Sequence, residues 1–217
     1  EEDPSIGVID SLKIILKNPK TYLFGLYGSL MYTFLSGFAD LWGTPFMIEA
    51  YRVDKMEASS SVSCIYLGIA FGGPLTAWFS QIYRSYKIPK IIGVFLCFLM
   101  LSLIIYYPDL IPFNLTIILF FLLGVCISTQ FLAFSSVCQI NPTQISATAC
   151  AFHNMMCMAS GIIIQRLLGY LIDERTPAHI EASVQDYQYA LTIIPICFMI
   201  GAAVTFFMKE TFPKENE

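Results

Sequence analysis

The sequence predicts an all-α integral membrane protein whose six transmembrane helices pack in one bundle. Of its 217 residues, 56% are hydrophobic and only 13% are charged. Residues 110–165, 56 in all, include no Asp, Glu, Lys or Arg. About 20 apolar residues cross the roughly 30 Å hydrocarbon core of a bilayer. This run therefore holds two crossings, which meet at Asn141-Pro142.

Charge-free stretches also mark the other helices. The predicted helices are, in order, residues 21–51, 58–83, 90–108, 111–140, 143–173 and 186–208. The first helix is apolar up to Asp40, and its apolar sequence resumes after that residue. A basic loop separates the second helix from the third, and an acidic loop precedes the sixth. Small residues allow helices to approach closely in lipid. Gly68 and Gly72 in the second helix, and Gly124 and Ser128 in the fourth, are therefore predicted to pack against neighbouring helices.

The distribution of basic residues predicts the orientation, because short cytoplasmic loops are enriched in Lys and Arg. Eight fall on one side, namely Lys13, Lys17, Lys20, Arg84, Lys87, Lys90, Lys209 and Lys214. Only Arg52, Lys55 and Arg175 fall on the other. We therefore expect both termini to be cytoplasmic, with the chain in a bacterial inner (plasma) membrane. Residues 1–20 are interpreted as a cytoplasmic lead-in with an amphipathic section, residues 21–209 as one helical domain, and residues 210–217 as a cytoplasmic tail.

The composition argues against several classes of function. With 12 basic and 16 acidic residues, the chain has no footprint for nucleic acid. All seven cysteines fall in predicted helices, so neither a disulfide framework nor a cofactor is expected. The spacing Cys150-x-x-His153-x-x-x-Cys157 among methionines suggests soft-metal transport as an alternative. A metal needs more ligands than this spacing supplies, so no metal site is predicted.

Three passages of the sequence together resemble a known family. They are Ala39 to Phe46, Gly72 to Lys90, and Thr148 to Asp173. In this order and spacing they resemble the seventh, eighth and eleventh helices of major facilitator superfamily transporters, so nearly the whole chain is similar to the carboxy-terminal half of that family. The signature loop after the eighth helix departs from the family pattern, since Ala77 and Gln81 stand where the pattern has Gly and Asp.

Asp40 and Arg166 are the charged candidates within the membrane. Asp40 is the one acid away from the ends of the predicted helices, and ionisable groups in hydrocarbon are usually functional. It is interpreted as a proton-coupling or substrate-contacting acid, or alternatively as a carboxylate that meets water where the helix ends. Arg166 is expected at a comparable depth in the membrane. Three interpretations of it stay open: a salt bridge with Asp40, binding of an anionic group, or extension toward the outer headgroups.

Uncharged polar residues supply further cavity candidates. Asn154 and Gln165 share one face of the fifth helix at about 100° per residue, and Arg166 points away from that face. They bind either a solute or neighbouring helices. His153 is a candidate proton relay because its ordinary pKa lies near neutrality. Gln130 is a weaker candidate for the cavity.

The resemblance implies secondary transport of a small solute by alternating access, with proton coupling as a hypothesis suggested by Asp40 and with no enzymatic activity. The expected partners are membrane lipid, the solute, and an amino-terminal six-helix half in the same or a separate chain. One alternative is an intramembrane protease using Ser160 and His153, although about 10 Å of helix separates them. The other is a nonfunctional or homodimerising six-helix remnant.

Overall fold

The computed structural model describes residues 7–176 and 181–213. Within these ranges every regular element is helical. The α-helices are α1 Val8–Lys17, α2 Pro19–Thr33, α3 Gly43–Tyr51, α4 Lys55–Ile82, α5 Lys87–Tyr106, α6 Phe113–Ile127, α7 Phe131–Gln139, α8 Ser146–Arg175, α9 Val184–Leu191 and α10 Ile193–Phe207. The predicted all-α class is therefore confirmed.

Five stretches are long and apolar enough to cross a membrane. They are Lys55–Ile82, Lys87–Tyr106, Phe113–Gln139, Thr143–Arg175 and Val184–Phe207. The first predicted helix is also helical throughout, but a π-helix, Phe34–Trp42, divides it into α2 and α3. Likewise, a 3-10 turn at Ser128–Gln130 joins α6 to α7.

The tightest crossing in the bundle joins α4 to α6. A side chain at Gly68 would overlap the carbonyl of Phe121, and one at Gly124 would overlap the carbonyl of Ile65. A Cβ at Gly72 would lie 2.7 Å from Ser128 Oγ. These contacts confirm the packing role predicted for the small residues of both helices. A second close crossing joins α2 to α8, where a Cβ at Gly28 would lie 2.6 Å from His153 Nε2.

Aromatic side chains fill the centre between these crossings. Phe38 stacks on Phe34 with ring centroids 5.6 Å apart, and contacts Phe46 and Phe120 at 6.1 and 5.7 Å. All four rings are fully buried. Phe198 of α10 contacts Phe34 at 6.0 Å and joins the last helix to this core. The π-helix is thus held on its inner side by aromatic packing, which leaves its other side for polar residues.

The amphipathic section before the first membrane helix forms α1. Ser11 and Ile15 are buried, whereas Ile9, Leu12 and Leu16 are exposed. Ile15 contributes to the bundle core. The remainder of that apolar surface is available to a membrane interface.

Candidate functional site

The π-helix presents a row of polar side chains at intervals of four residues. A π-helix is rare and is frequent at functional sites. Tyr32 lies in the last turn of α2, and Ser36 and Asp40 follow within the π-helix. Ser36 is buried, Tyr32 is half-buried and Asp40 is exposed. Ser36 is therefore enclosed by the bundle, whereas Asp40 lies at its surface.

Asp40 is bonded to a neighbouring helix. The hydroxyl of Tyr66, on α4, donates a hydrogen bond to Asp40 Oδ1. Tyr66 is 43% exposed, so the pair lies at the surface of the chain between the π-helix and α4. Tyr32 lies within electrostatic reach of the same carboxylate. The helix continues beyond Asp40 to Tyr51, so this carboxylate does not mark a helix end.

Gln165 joins α8 to the same row. Its Nε2 donates to the carbonyl of Ser36 at 3.1 Å and lies 3.0 Å from Ser36 Oγ. One turn earlier, Gly161 allows the helices to approach, since a Cβ there would lie 2.7 Å from Ser36 Oγ and 2.9 Å from a ring carbon of Tyr32. Tyr32 also donates to Met158 Sδ at 3.5 Å. Gln165 thus makes the interhelical bonds that were one of its two predicted roles.

Arg166 and Asn154, on α8, are each exposed. Arg166 does not form the hypothesised salt bridge with Asp40, and the one ion pair among residues 7–176 and 181–213 joins Lys13 to Asp10 at 2.9 Å. The physical reason is rotation about the helix axis. Gln165 faces the π-helix, and the next residue points about 100° away from it. Asn154 remains accessible for a solute or a second protein surface.

Gln130 and His153 are enclosed by the bundle. Gln130 lies in the 3-10 turn between α6 and α7 and is 5% exposed. His153 is fully buried, with its ring centroid 4.3 Å from that of Phe134 and its Nε2 3.8 Å from Cys157 Sγ. Its Nδ1 has no hydrogen-bond partner in the described part of the chain.

Neither a protease pair nor a metal cluster assembles around His153. Ser160 Oγ donates to the carbonyl of Cys157 at 2.6 Å and lies 3.0 Å from that of Ser29, so its bonds do not involve the imidazole. The described residues also contain no group of three or more His, Cys, Asp or Glu side chains able to hold a metal ion.

Lys90, predicted at the cytoplasmic end of the third helix, is a buried cation. It lies inside α5 and is 1% exposed. Its Nζ donates to Ser136 Oγ at 2.6 Å and lies 4.8 Å from the centre of the Phe24 ring. A signal was present, because Lys90 falls in helical register with the buried residues Val94, Cys97 and Leu101.

Residues 208–213, called here the C-terminal strap, form a second polar cluster. Glu210 accepts a hydrogen bond from Ser85 Oγ and from the backbone N–H groups of Tyr86 and Lys87, at 2.9 and 3.3 Å. Phe212 packs edge-on against Tyr86, with ring centroids 5.1 Å apart. Partial desolvation acts to raise the pKa of Glu210. The hydrogen bonds from Ser85, Tyr86, Phe212 and Thr211 together outweigh this effect and lower the pKa from 4.5 to about 2.

Polarity and exposure vary together among the membrane-crossing helices. In the most apolar stretches of α4 and α8, 28% of residues are buried, against 44 to 50% in the other three crossings. The same two helices are the least apolar of the five. A helix surrounded by lipid needs an apolar surface. Because α4 and α8 combine a lower mean hydropathy with more exposed residues, they are less suited than the other three crossings to being surrounded by lipid.

The fold is similar to about half of a membrane transporter of known structure. The structure aligns with that of a bacterial homologue of the human lysosomal transporter Spinster, in an inward-facing and occupied conformation, with a TM-score of 0.64 and 12% sequence identity. The alignment covers 88% of this chain and 49% of that protein, so the chain spans about half the length of the transporter. No protein-family model and no curated protein matches the sequence.

Proposed function

We propose, from a fold shared with half of a membrane transporter, that this chain is one half of a secondary transporter of the major facilitator superfamily. A second six-helix half, in the same or a separate chain, completes the pathway, and a small solute crosses by alternating access. The observation that carries the proposal is the pairing of high exposure with lower hydropathy on α4 and α8. We assign these two faces to the second half and to the solute pathway between the halves.

Asp40 is the leading functional residue in this proposal. Its carboxylate is exposed beside α4 and is bonded to Tyr66. Closing the two halves over Asp40 removes water from the carboxylate and favours its protonated form, and opening them reverses this change. Asp40 then couples proton movement to solute movement, as in a symporter. Arg166 acts as a gating charge at the surface between the halves.

The polar side chains near Asp40 complete the assignment. Asn154 contacts solute from the exposed face of α8, whereas Gln165 fixes α8 to the π-helix through Ser36. Gln130 and His153 line the interior behind this surface. Both chain termini lie on the cytoplasmic side of a plasma membrane, in accordance with the distribution of basic residues.

Solute-dependent thermal stabilisation tests this function. The protein containing both halves is heated with each member of a metabolite library, at one pH above and one below neutrality. We expect at least one solute to raise the midpoint of unfolding, with an affinity that depends on pH. Asp40→Asn should abolish the pH dependence, whereas the control Asp173→Asn, an exposed acid near the end of α8, should retain it.

Two results would count against the proposal at different levels. If the wild-type affinity for every stabilising solute is the same at both pH values, Asp40 does not couple protons. If no solute stabilises the folded two-half protein and none is transported into vesicles, the assignment as a solute transporter is wrong.

A further inference from the structure

Two thiols meet at the turn between α7 and α8. Cys138 Sγ and Cys150 Sγ are 3.0 Å apart, one near the end of α7 and the other in the second turn of α8. Both side chains are partly exposed. A disulfide bond is about 2.05 Å long, so the sulfurs need to approach by only about 1 Å.

This contact distinguishes the pair from the other cysteines. All seven cysteines lie in the described ranges, and each is a free thiol. Cys64 contacts the carbonyl of Ser60 at 3.6 Å, Cys97 contacts the carbonyl of Leu123 at 4.0 Å, and Cys157 contacts His153. Among these residues, Cys138 and Cys150 have the one sulfur–sulfur contact.

The backbone beside the two thiols is held by an amide network. Asn18, before α2, donates to the carbonyl of Ile140 at 3.1 Å and to Asn141 Oδ1 at 3.2 Å. Asn141 donates to the carbonyl of Val137 at 2.9 Å, and its Nδ2 lies 3.3 Å from Thr21 Oγ1. The turn is therefore docked on the start of α2. Groups already held close together react with a smaller loss of entropy than free groups.

We propose that Cys138 and Cys150 form a reversible modification site, which a peroxide converts to an intramolecular disulfide. One thiolate attacks a peroxide oxygen, breaking the O–O bond and giving a sulfenic acid and one water. The second thiol then attacks that sulfur, so the S–S bond forms, the S–O bond breaks and a second water leaves. Two thiols and one hydrogen peroxide thus give one disulfide and two waters. A dithiol reductant restores the thiols.

The disulfide joins the ends of two membrane-crossing helices. Before oxidation, the turn connects α7 to α8 without a covalent bond between the two thiols. Afterwards, a covalent bond closes the segment between residues 138 and 150, at the place where Asn18 and Asn141 already join it to α2. Oxidation therefore restricts relative movement of α7 and α8 at this end of the bundle. This inference concerns the thiols alone and does not depend on the transport proposal.

Peptide mapping after mild oxidation tests the site. The full-length protein in detergent is treated with hydrogen peroxide, its free thiols are alkylated, and the digest is analysed by mass spectrometry without reduction. We expect a crosslinked peptide containing both Cys138 and Cys150, about tenfold more abundant than any other cysteine pair. Dithiothreitol should remove it. The variants Cys138→Ser and Cys150→Ala should not form it, and the control Cys64→Ser should form it normally.

Two outcomes would overturn the proposal. One is that both thiols of the folded wild-type protein remain alkylatable at a peroxide dose that oxidises exposed methionines such as Met56. The other is that detergent-unfolded chain gives the same crosslink in the same yield, since the folded geometry would then contribute nothing. Both readouts use the wild-type protein, so the result stands if a cysteine variant fails to fold.

Discussion

Lys90 carries a formal charge into the interior of the bundle, where an unsatisfied ammonium is costly. Ser136 accepts a hydrogen bond from it, and the face of the Phe24 ring lies beneath it. Ser136 also accepts a bond from Thr211 of the C-terminal strap, at 2.9 Å, and donates to the carbonyl of Leu132. The hydroxyl of Ser136 therefore connects the buried cation to the backbone of α7 and to the C-terminal strap.

Removing the acceptor should destabilise the protein more than removing the charge. Ser136→Ala leaves the ammonium without its hydroxyl partner, and we expect a loss of about 1–3 kcal/mol in the free energy of unfolding. Lys90→Met keeps the length and the apolar stem but removes the charge, so stability should be equal to wild type or higher. In the Lys90→Met background, the cost of Ser136→Ala should fall by about half or more.

Thermal or denaturant unfolding of the four proteins in detergent measures these differences. An undiminished cost of Ser136→Ala in the Lys90→Met background would mean that the hydroxyl acts through Thr211 and Leu132 rather than through the lysine. A large loss of stability in Lys90→Met alone would mean that the cation–aromatic contact with Phe24 outweighs the cost of burying the charge.

At the level of elements, the contact between α4 and α6 depends on glycine residues, which have no side chain to hold the helices apart. Gly68 lies against the backbone of α6, and Gly124 lies against the backbone of α4. In lipid, helix association relies on such close packing because the acyl chains are as apolar as the side chains. A Cβ at Gly73, the neighbour of Gly72 on α4, would have no atom of another helix within 4 Å.

The effect of an alanine substitution on stability should depend on which of these glycines is replaced. Gly68→Ala or Gly124→Ala forces two helix backbones apart, and we expect a loss of about 1–3 kcal/mol or more of stability. Gly73→Ala adds a Cβ that touches no other helix and is crowded only by the ring of Pro74, so we expect a smaller loss there than at Gly68 or Gly124. The midpoint of thermal unfolding in detergent measures all three. Equal midpoints for Gly68→Ala and Gly73→Ala would contradict the close approach of α4 and α6.

The sequence predicted where helices lie better than it predicted their form. Hydropathy locates membrane crossings because lipid selects apolar side chains. All five helices that are long and apolar enough to cross a membrane were predicted from the sequence. Hydropathy carries no information about whether residues 34–42 adopt α or π geometry, because that choice depends on packing around Phe38 and Gln165. The break at Ser128–Gln130 was missed for the same reason.

For the molecule as a whole, contacts distant in sequence were the least predictable. Glu210 was assigned to a cytoplasmic tail, yet it bonds to Ser85, 125 residues earlier. Asp40 was recognised as a candidate because a single acid among apolar residues is conspicuous, but nothing in the sequence identifies Tyr66 as its partner. The pattern therefore indicated which polar residues to consider, and the fold determines which of them meet.

The C-terminal strap joins the loop before α5 to the end of α10, so its stability should depend on pH through Glu210. Its hydrogen bonds lower the pKa of Glu210 from 4.5 to about 2 in the folded protein. A group with a lowered folded pKa stabilises the fold fully above its unfolded pKa, and this contribution is lost as pH falls through the folded value. We therefore expect Glu210→Gln to unfold at a lower temperature than wild type near neutral pH.

The difference between the two unfolding midpoints should stay constant down to about pH 4.5 and shrink progressively as the pH falls from there to about 2. Because Glu210 is exposed, high salt should also reduce the difference. Glu174, an exposed acid in the last turn of α8, provides the matched control. Glu174→Gln should have the same unfolding midpoint as wild type at every pH. A difference that persists unchanged at pH 2 would mean that the Glu210 side chain stabilises the strap through packing rather than through its charge.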